Sequence, residues 1–146
     1  MNEFSVRQLE VIYCDDVRDE RSGKRIYVGV YKATMFVPEF PALLPKFCVV
    51  LTLQYSADRA PDKLRFLVLR DDELIAEKTL PDGEPKKPFL NKEAEGMDGP
   101  LCNATIQFDF SPFEVAGPCT IKVRAEVDGT MIRTSGLRIR SFPNDA

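Results

Sequence analysis

Histidine is absent from this chain of 146 residues. Its absence removes imidazole general acid–base catalysis, Ser-His-Asp and Cys-His nucleophile systems, and every metal site that needs a histidine ligand. No glycine-rich phosphate loop, no Gly-x-Ser-x-Gly elbow and no Cys-x-x-Cys pair occurs. A Ser, Thr or Cys nucleophile would need activation by lysine or a carboxylate, and no local arrangement supplies one. No apolar run approaches the ~20 residues that a membrane helix requires. The first ten residues carry Glu3, Arg7 and Glu10 where a signal sequence would be apolar. The expected location is therefore the cytoplasm, with no membrane and no cofactor involved.

A strong charge of either sign is also missing. There are 20 basic and 23 acidic residues, a net of −3, which argues against bulk capture of nucleic acid, since phosphates must be neutralised by Lys and Arg. Hydrophobic residues make up 44% and charged residues 29%, an ordinary globular balance. A chain of this size buries roughly 68–70% of its unfolded surface and needs neither metal nor disulfide to fold. The four cysteines, Cys14, Cys48, Cys102 and Cys119, are expected to be free thiols. If the strands that begin at Cys102 and Cys119 are antiparallel neighbours, those two lie at opposite ends and beyond disulfide reach. Length and composition point to one domain over 1–146.

No segment sustains the i, i+3, i+4, i+7 apolar spacing of a helix; only Asn91 to Glu95 has room for a single turn. What is present is period two, the mark of half-buried strands. Phe47, Val49, Leu51, Leu53 and Tyr55 share one face of the strongest strand. Apolar residues on both faces near its start predict a central position. Leu64 to Arg70 and Glu73 to Leu80 follow, joined by a reversal at Asp71-Asp72. Upstream, Val6 to Val17 and Arg25 to Val37 read as two strands around a Ser22-Gly23 turn. Pro38, Pro41 and Pro45 forbid a central strand between Val37 and Pro45, so that stretch should cross between sheets.

The C-terminal third reads as a hairpin. Ile121, Val123, Ala125 and Val127 alternate with Lys122, Arg124 and Glu126, and Asp128-Gly129 is the dipeptide of a type I′ turn. Ile132 points inward on even parity, whereas Leu137 and Ile139 do so on odd parity. One extra residue near Ser135-Gly136, a β-bulge, restores the facing. The expected fold is an all-β antiparallel two-sheet sandwich, immunoglobulin-like or C2-like, of seven to nine strands.

Three features are candidates for function. Asp15, Asp16, Asp19 and Glu20 cluster at a strand end, where carboxylates bind calcium in some sandwiches; Arg18, Arg21 and Lys24 offer the simpler role of charge-paired loop. Asp71, Asp72 and Glu73 make a second acidic group, either a polar hairpin tip or half of a carboxylate hydrolase site. The last hairpin turns Lys122, Arg124, Arg133, Arg138 and Arg140 outward and sets Arg124 against Arg133, a like-charge pairing that costs stability unless Glu126 relieves it. Beside it, the long 81–100 loop carries Phe89, Leu90 and Met97, either pinning the loop or anchoring a partner.

Tyr13-Cys14-Asp15-Asp16-Val17-Arg18, Gly29-Val30-Tyr31, Val37-Pro38-Glu39-Phe40-Pro41 and Leu44-Pro45-Lys46 together resemble a family of small uncharacterised bacterial and phage proteins, classed as a domain of unknown function. The similarity covers the first third of the chain and, more loosely, the final hairpin. It implies a bacterial or phage origin and a compact β fold, and carries over no activity and no catalytic residue. The leading expectation is a non-catalytic protein-binding or structural module, with Arg124, Arg133, Arg138, Phe89 and Leu90 meeting a protein partner of unknown identity; self-association stays open. The alternatives are a calcium-dependent binding sandwich using Asp15, Asp16 and Asp19, and a hydrolase that uses carboxylates without histidine.

Overall fold

A computed structural model describes residues 7–80 and 101–143. The expected 81–100 loop, with Phe89, Leu90, Met97 and the 91–95 turn, lies outside the described residues.

The described chain is built from strands, with one 3-10 turn at Ala57–Arg59. Strand β6 (Phe47–Ser56) is the centre of a three-stranded antiparallel sheet, between β1 (Arg7–Cys14) and β9 (Leu101–Phe110). Its alternation sends Phe47, Val49, Leu51, Leu53 and Tyr55 into the core, all fully buried. Facing them is a larger sheet in the order β4 (Thr34–Val37), β13 (Leu137–Ser141), β11 (Cys119–Val127), β7 (Leu64–Arg70), β8 (Glu73–Thr79). β12 (Thr130–Arg133) also pairs with β11. Phe66, Val68, Ile121, Val123, Ala125, Leu137 and Ile139 fill the space between the sheets and join one continuous cluster. Each of the larger side chains among them contributes about 1.5–3 kcal/mol by leaving water.

The hairpin register is the one expected: Val127 opposes Thr130, and Arg124 opposes Arg133. Asp128 and Gly129 both take positive φ, 50° and 87°, as a type I′ turn demands. The bulge is also present. Four steps separate Arg133 from Leu137, whereas their partners Arg124 and Ile121 are three apart. Gly136 sits in that irregularity, where an added β-carbon would lie 2.9 Å from the Ile121 carbonyl oxygen. Lack of a side chain permits that close approach.

Three expectations need correction. Thirteen strands are present among the described residues, more than the seven to nine read from sequence, partly because the two upstream strands break. The first divides at Asp15 into β1 and β2 (Asp16–Asp19); the second divides into β3 (Arg25–Val28) and β4. Gly29, at φ 68°, lets the chain turn out of β3. Secondly, the larger sheet is mixed, because β4 runs parallel to β13, pairing Met35 with Ile139 and Phe36 with Arg140. The proline-rich passage does cross between the sheets and holds no central strand; it carries a short strand, β5 (Ala42–Leu44), which among the described residues pairs only with β10 (Phe113–Val115). Finally, Cys102 and Cys119 belong to strands of different sheets, so their antiparallel-neighbour argument does not apply.

Candidate functional site

The acidic residues of the first hairpin are tied to their neighbours. Asp15 accepts a short hydrogen bond from the Tyr31 hydroxyl, and its own backbone N–H donates to the Val28 carbonyl at 2.9 Å. A β-carbon on Gly29 would collide with the Asp15 carboxylate, so the glycine makes room for this side chain. Asp16 accepts from Lys46 Nζ at 2.8 Å and lies 3.5 Å from Arg18. Asp19 accepts from Arg25 at 2.8 Å. Tyr13 donates to the Ser135 carbonyl at 2.6 Å, and burial raises its phenol well above the ordinary value. The Tyr13–Arg18 motif therefore joins the first strand, the following ribbon and the last bulge. Among the described residues no group of three or more acidic or cysteine side chains converges to hold a metal.

The Lys46–Asp16 pair predicts a pH response. Hydrogen bonding from Lys46 lowers the Asp16 pKa, opposed by desolvation. The matching bond raises that of Lys46. A lowered folded-state pKa gives stability that is present above the unfolded aspartate value, about 3.9, and lost as pH falls through the folded value. Thermal melts of wild type and Asp16→Asn should differ near pH 5 and converge as the medium becomes more acidic than about pH 3. A constant difference across that range would show that the carboxylate's charge is irrelevant.

The second acidic group is likewise tied to its neighbours. Asp71 turns the β7–β8 corner at φ 53° and accepts from the Thr120 backbone N–H at 3.0 Å. Asp72, fully exposed, lies 3.6 Å from Lys122. Among the described residues, clefts of about 470, 390 and 280 Å³ are each lined by one carboxylate: Glu10, Glu114 and Asp71 respectively. A carboxylate-pair hydrolase needs two carboxyls flanking one bond. Three of the thiols are shifted away from the reactive form. Burial raises Cys14 and Cys119 and pushes Cys48 up to about 12, whereas reactive cysteines need a lowered pKa.

The outer face of the larger sheet is different. Parity along β11 directs Lys122, Arg124 and Glu126 away from the core, because Ile121, Val123, Ala125 and Val127 are buried. Arg133 and Arg138 fall on the same side through their pairing with Arg124 and Thr120. Arg140 follows by alternation about buried Ile139. The carboxylates of this face gather on its β7–β8 side: Arg65 holds Glu77 at 2.7 Å and Glu126 at 3.6 Å. Glu126 thus turns toward Arg65, and the guanidinium of Arg124 donates to the Val123 carbonyl at 2.8 Å. Among the described residues no carboxylate lies within ion-pair distance of Arg124, Arg133, Arg138 or Arg140.

Two aromatic residues missed by sequence reasoning complete the surface. Phe36, opposite Arg140 on β4, stacks on Phe142 with ring centroids 5.9 Å apart, and the two are 46% and 56% exposed. Phe36 lies between buried Met35 and Val37, so alternation alone would have marked it as outward. The expected partner residues Arg124, Arg133 and Arg138 thus share one face; Phe89 and Leu90 lie outside the described residues.

Comparison with known proteins finds one family, described as a family of unknown function (DUF6941), whose model matches residues 10–140. No curated protein matches the chain.

Proposed function

We propose, from the premise that the chain belongs to the family of unknown function DUF6941, that it is a non-catalytic protein-binding module. Its ligand is an acidic segment of a partner protein laid on the outer face of the larger sheet. The carrying observation is the set of four arginines without a carboxylate within reach among the described residues, on a chain whose net charge is −3. Arg124 and Arg133 directly oppose one another, a like-charge arrangement that an acidic ligand would relieve. Phe36 and Phe142 supply the apolar contact that commonly anchors an interface within a charged surround.

A bacterial or phage setting and a cytoplasmic location accompany this reading. Cys14 and Cys48 are directly opposed free thiols, which suits a reducing compartment. The test is Arg133→Glu combined with Arg138→Glu. Removing the Arg124–Arg133 repulsion should leave stability unchanged or raise it by about 0.2–1 kcal/mol. Capture of the native partner from its host should be lost, and wild-type capture should weaken as salt is added. Normal capture by the double variant would refute the docking surface.

A further inference from the structure

Away from that face, one mouth of the sandwich is closed by aromatic rings. Phe47 and Phe113 lie 4.8 Å apart, and Phe110 lies 5.3 Å from Phe113. Arg70, the last residue of β7, places its guanidinium carbon 5.1 Å from the centre of the Phe113 ring. The cation–π contact holds the head in place but satisfies none of its N–H groups. The Nε–H of Arg70 is buried with no hydrogen-bond partner, an arrangement that costs free energy when a charged donor leaves water. No carboxylate among the described residues lies within ion-pair distance of this side chain.

Arg70 also lines the cleft of about 390 Å³ between the β5–β10 ribbon and the end of β7. Pro41, Leu43, Val115 and Ala116 line the same cleft, and Leu43 is 62% exposed. Such a volume suits a small ligand, and apolar walls with a few placed polar groups are the usual form of a binding site. Glu114, opposite Leu43 in the β5–β10 register, adds a negative charge at the rim.

We propose that this cleft binds a monocarboxylate with a short apolar body, the carboxylate accepting from Arg70 and the body lying against Leu43, Pro41 and Val115. Arginine is suited to the role because its planar fork matches a carboxylate. Glu114 disfavours a second negative charge, so the ligand carries one. The source is either a free organic acid or the C-terminal carboxylate of a peptide ending in an apolar residue; the chemistry is shared. The inference does not depend on the docking reading, because the cleft uses none of the outer-face residues.

The test follows the arginine Nε–H signals of the isotopically labelled full chain by NMR, with Arg70 assigned through Arg70→Lys. Hexanoate should shift the Arg70 signal saturably. Hexanol, acetate and the dianion adipate should each act at least about tenfold more weakly, since each loses the charge, loses the body or adds a repelled charge. Leu43→Asp, at an exposed position, should weaken hexanoate to a similar degree and leave the fold intact. The peptide Ala-Ala-Leu is compared with its C-terminal amide: tighter binding of the free acid than of hexanoate assigns a peptide terminus, and the reverse assigns an organic acid. The proposal is overturned if neither acid moves the Arg70 signal, if Leu43→Asp binds hexanoate as wild type does, or if only the outer-face arginines respond.

Discussion

Asp128→Ala is expected to destabilise the protein by about 2–3 kcal/mol, through loss of a charged acceptor and strain at a left-handed backbone position. The residue begins the turn between β11 and β12 with φ 50°. Its Oδ1 accepts from the backbone N–H groups of Asp62 and Lys63, at 2.9 and 2.8 Å. Its Oδ2 lies 3.4 Å from Arg7 on the opposite sheet. One carboxylate thereby joins the turn to the segment leading into β7 and to the start of β1. Alanine removes all three contacts and carries a β-carbon into a conformation that disfavours it. Asp128→Asn keeps an oxygen for both backbone donors and tolerates the left-handed region, so it should lose only the exposed ion pair, about 0.5 kcal/mol. Urea melts of the three proteins give the comparison. Equal losses for Ala and Asn would mean that the ion pair, not the backbone bonds, holds this end together.

The same residue illustrates what sequence can and cannot convey. Asp128-Gly129 identifies the turn, because its φ requirement is local. The grip on Asp62 and Lys63 comes from residues 65 and 66 positions away, and no local pattern records it. Strand β6 was legible for the converse reason. Its buried face is continuous from Phe47 to Tyr55, and period two needs no knowledge of the partner. The bulge before Leu137 was legible because one extra residue reverses every later side chain. The parallel pairing of β4 with β13 was not, since alternation is the same in parallel and antiparallel strands. The outward arginines of the last hairpin followed from parity and register, whereas their lack of carboxylate neighbours among the described residues depends on Arg65, which draws Glu126 away from Arg124. Arg70 was hidden most completely: its parity marks the inner face of β7, and the Phe113 ring it meets belongs to β10, far off in sequence.

Phe47→Ala should have the largest effect, a loss of about 3–5 kcal/mol. Phe47 is fully buried and lies at the junction of both sheets. Its ring is 4.8 Å from Phe113, 6.3 Å from Phe110, 6.4 Å from Tyr13 and 6.3 Å from Tyr31, centre to centre. Truncation removes the transfer free energy of the ring and leaves a cavity whose walls belong to separate strands, so they collapse poorly. Two of those neighbours hold other features in place. Tyr31 carries the hydrogen bond to Asp15, and Phe113 supports the guanidinium of Arg70. Phe47→Leu, which refills part of the space, should lose clearly less than alanine does. If the alanine variant does remain folded, the NMR signal of Arg70 Nε–H should move even without ligand, because the supporting ring is no longer fixed. A loss under about 1 kcal/mol in urea melts of Phe47→Ala would contradict the close packing on which this expectation rests.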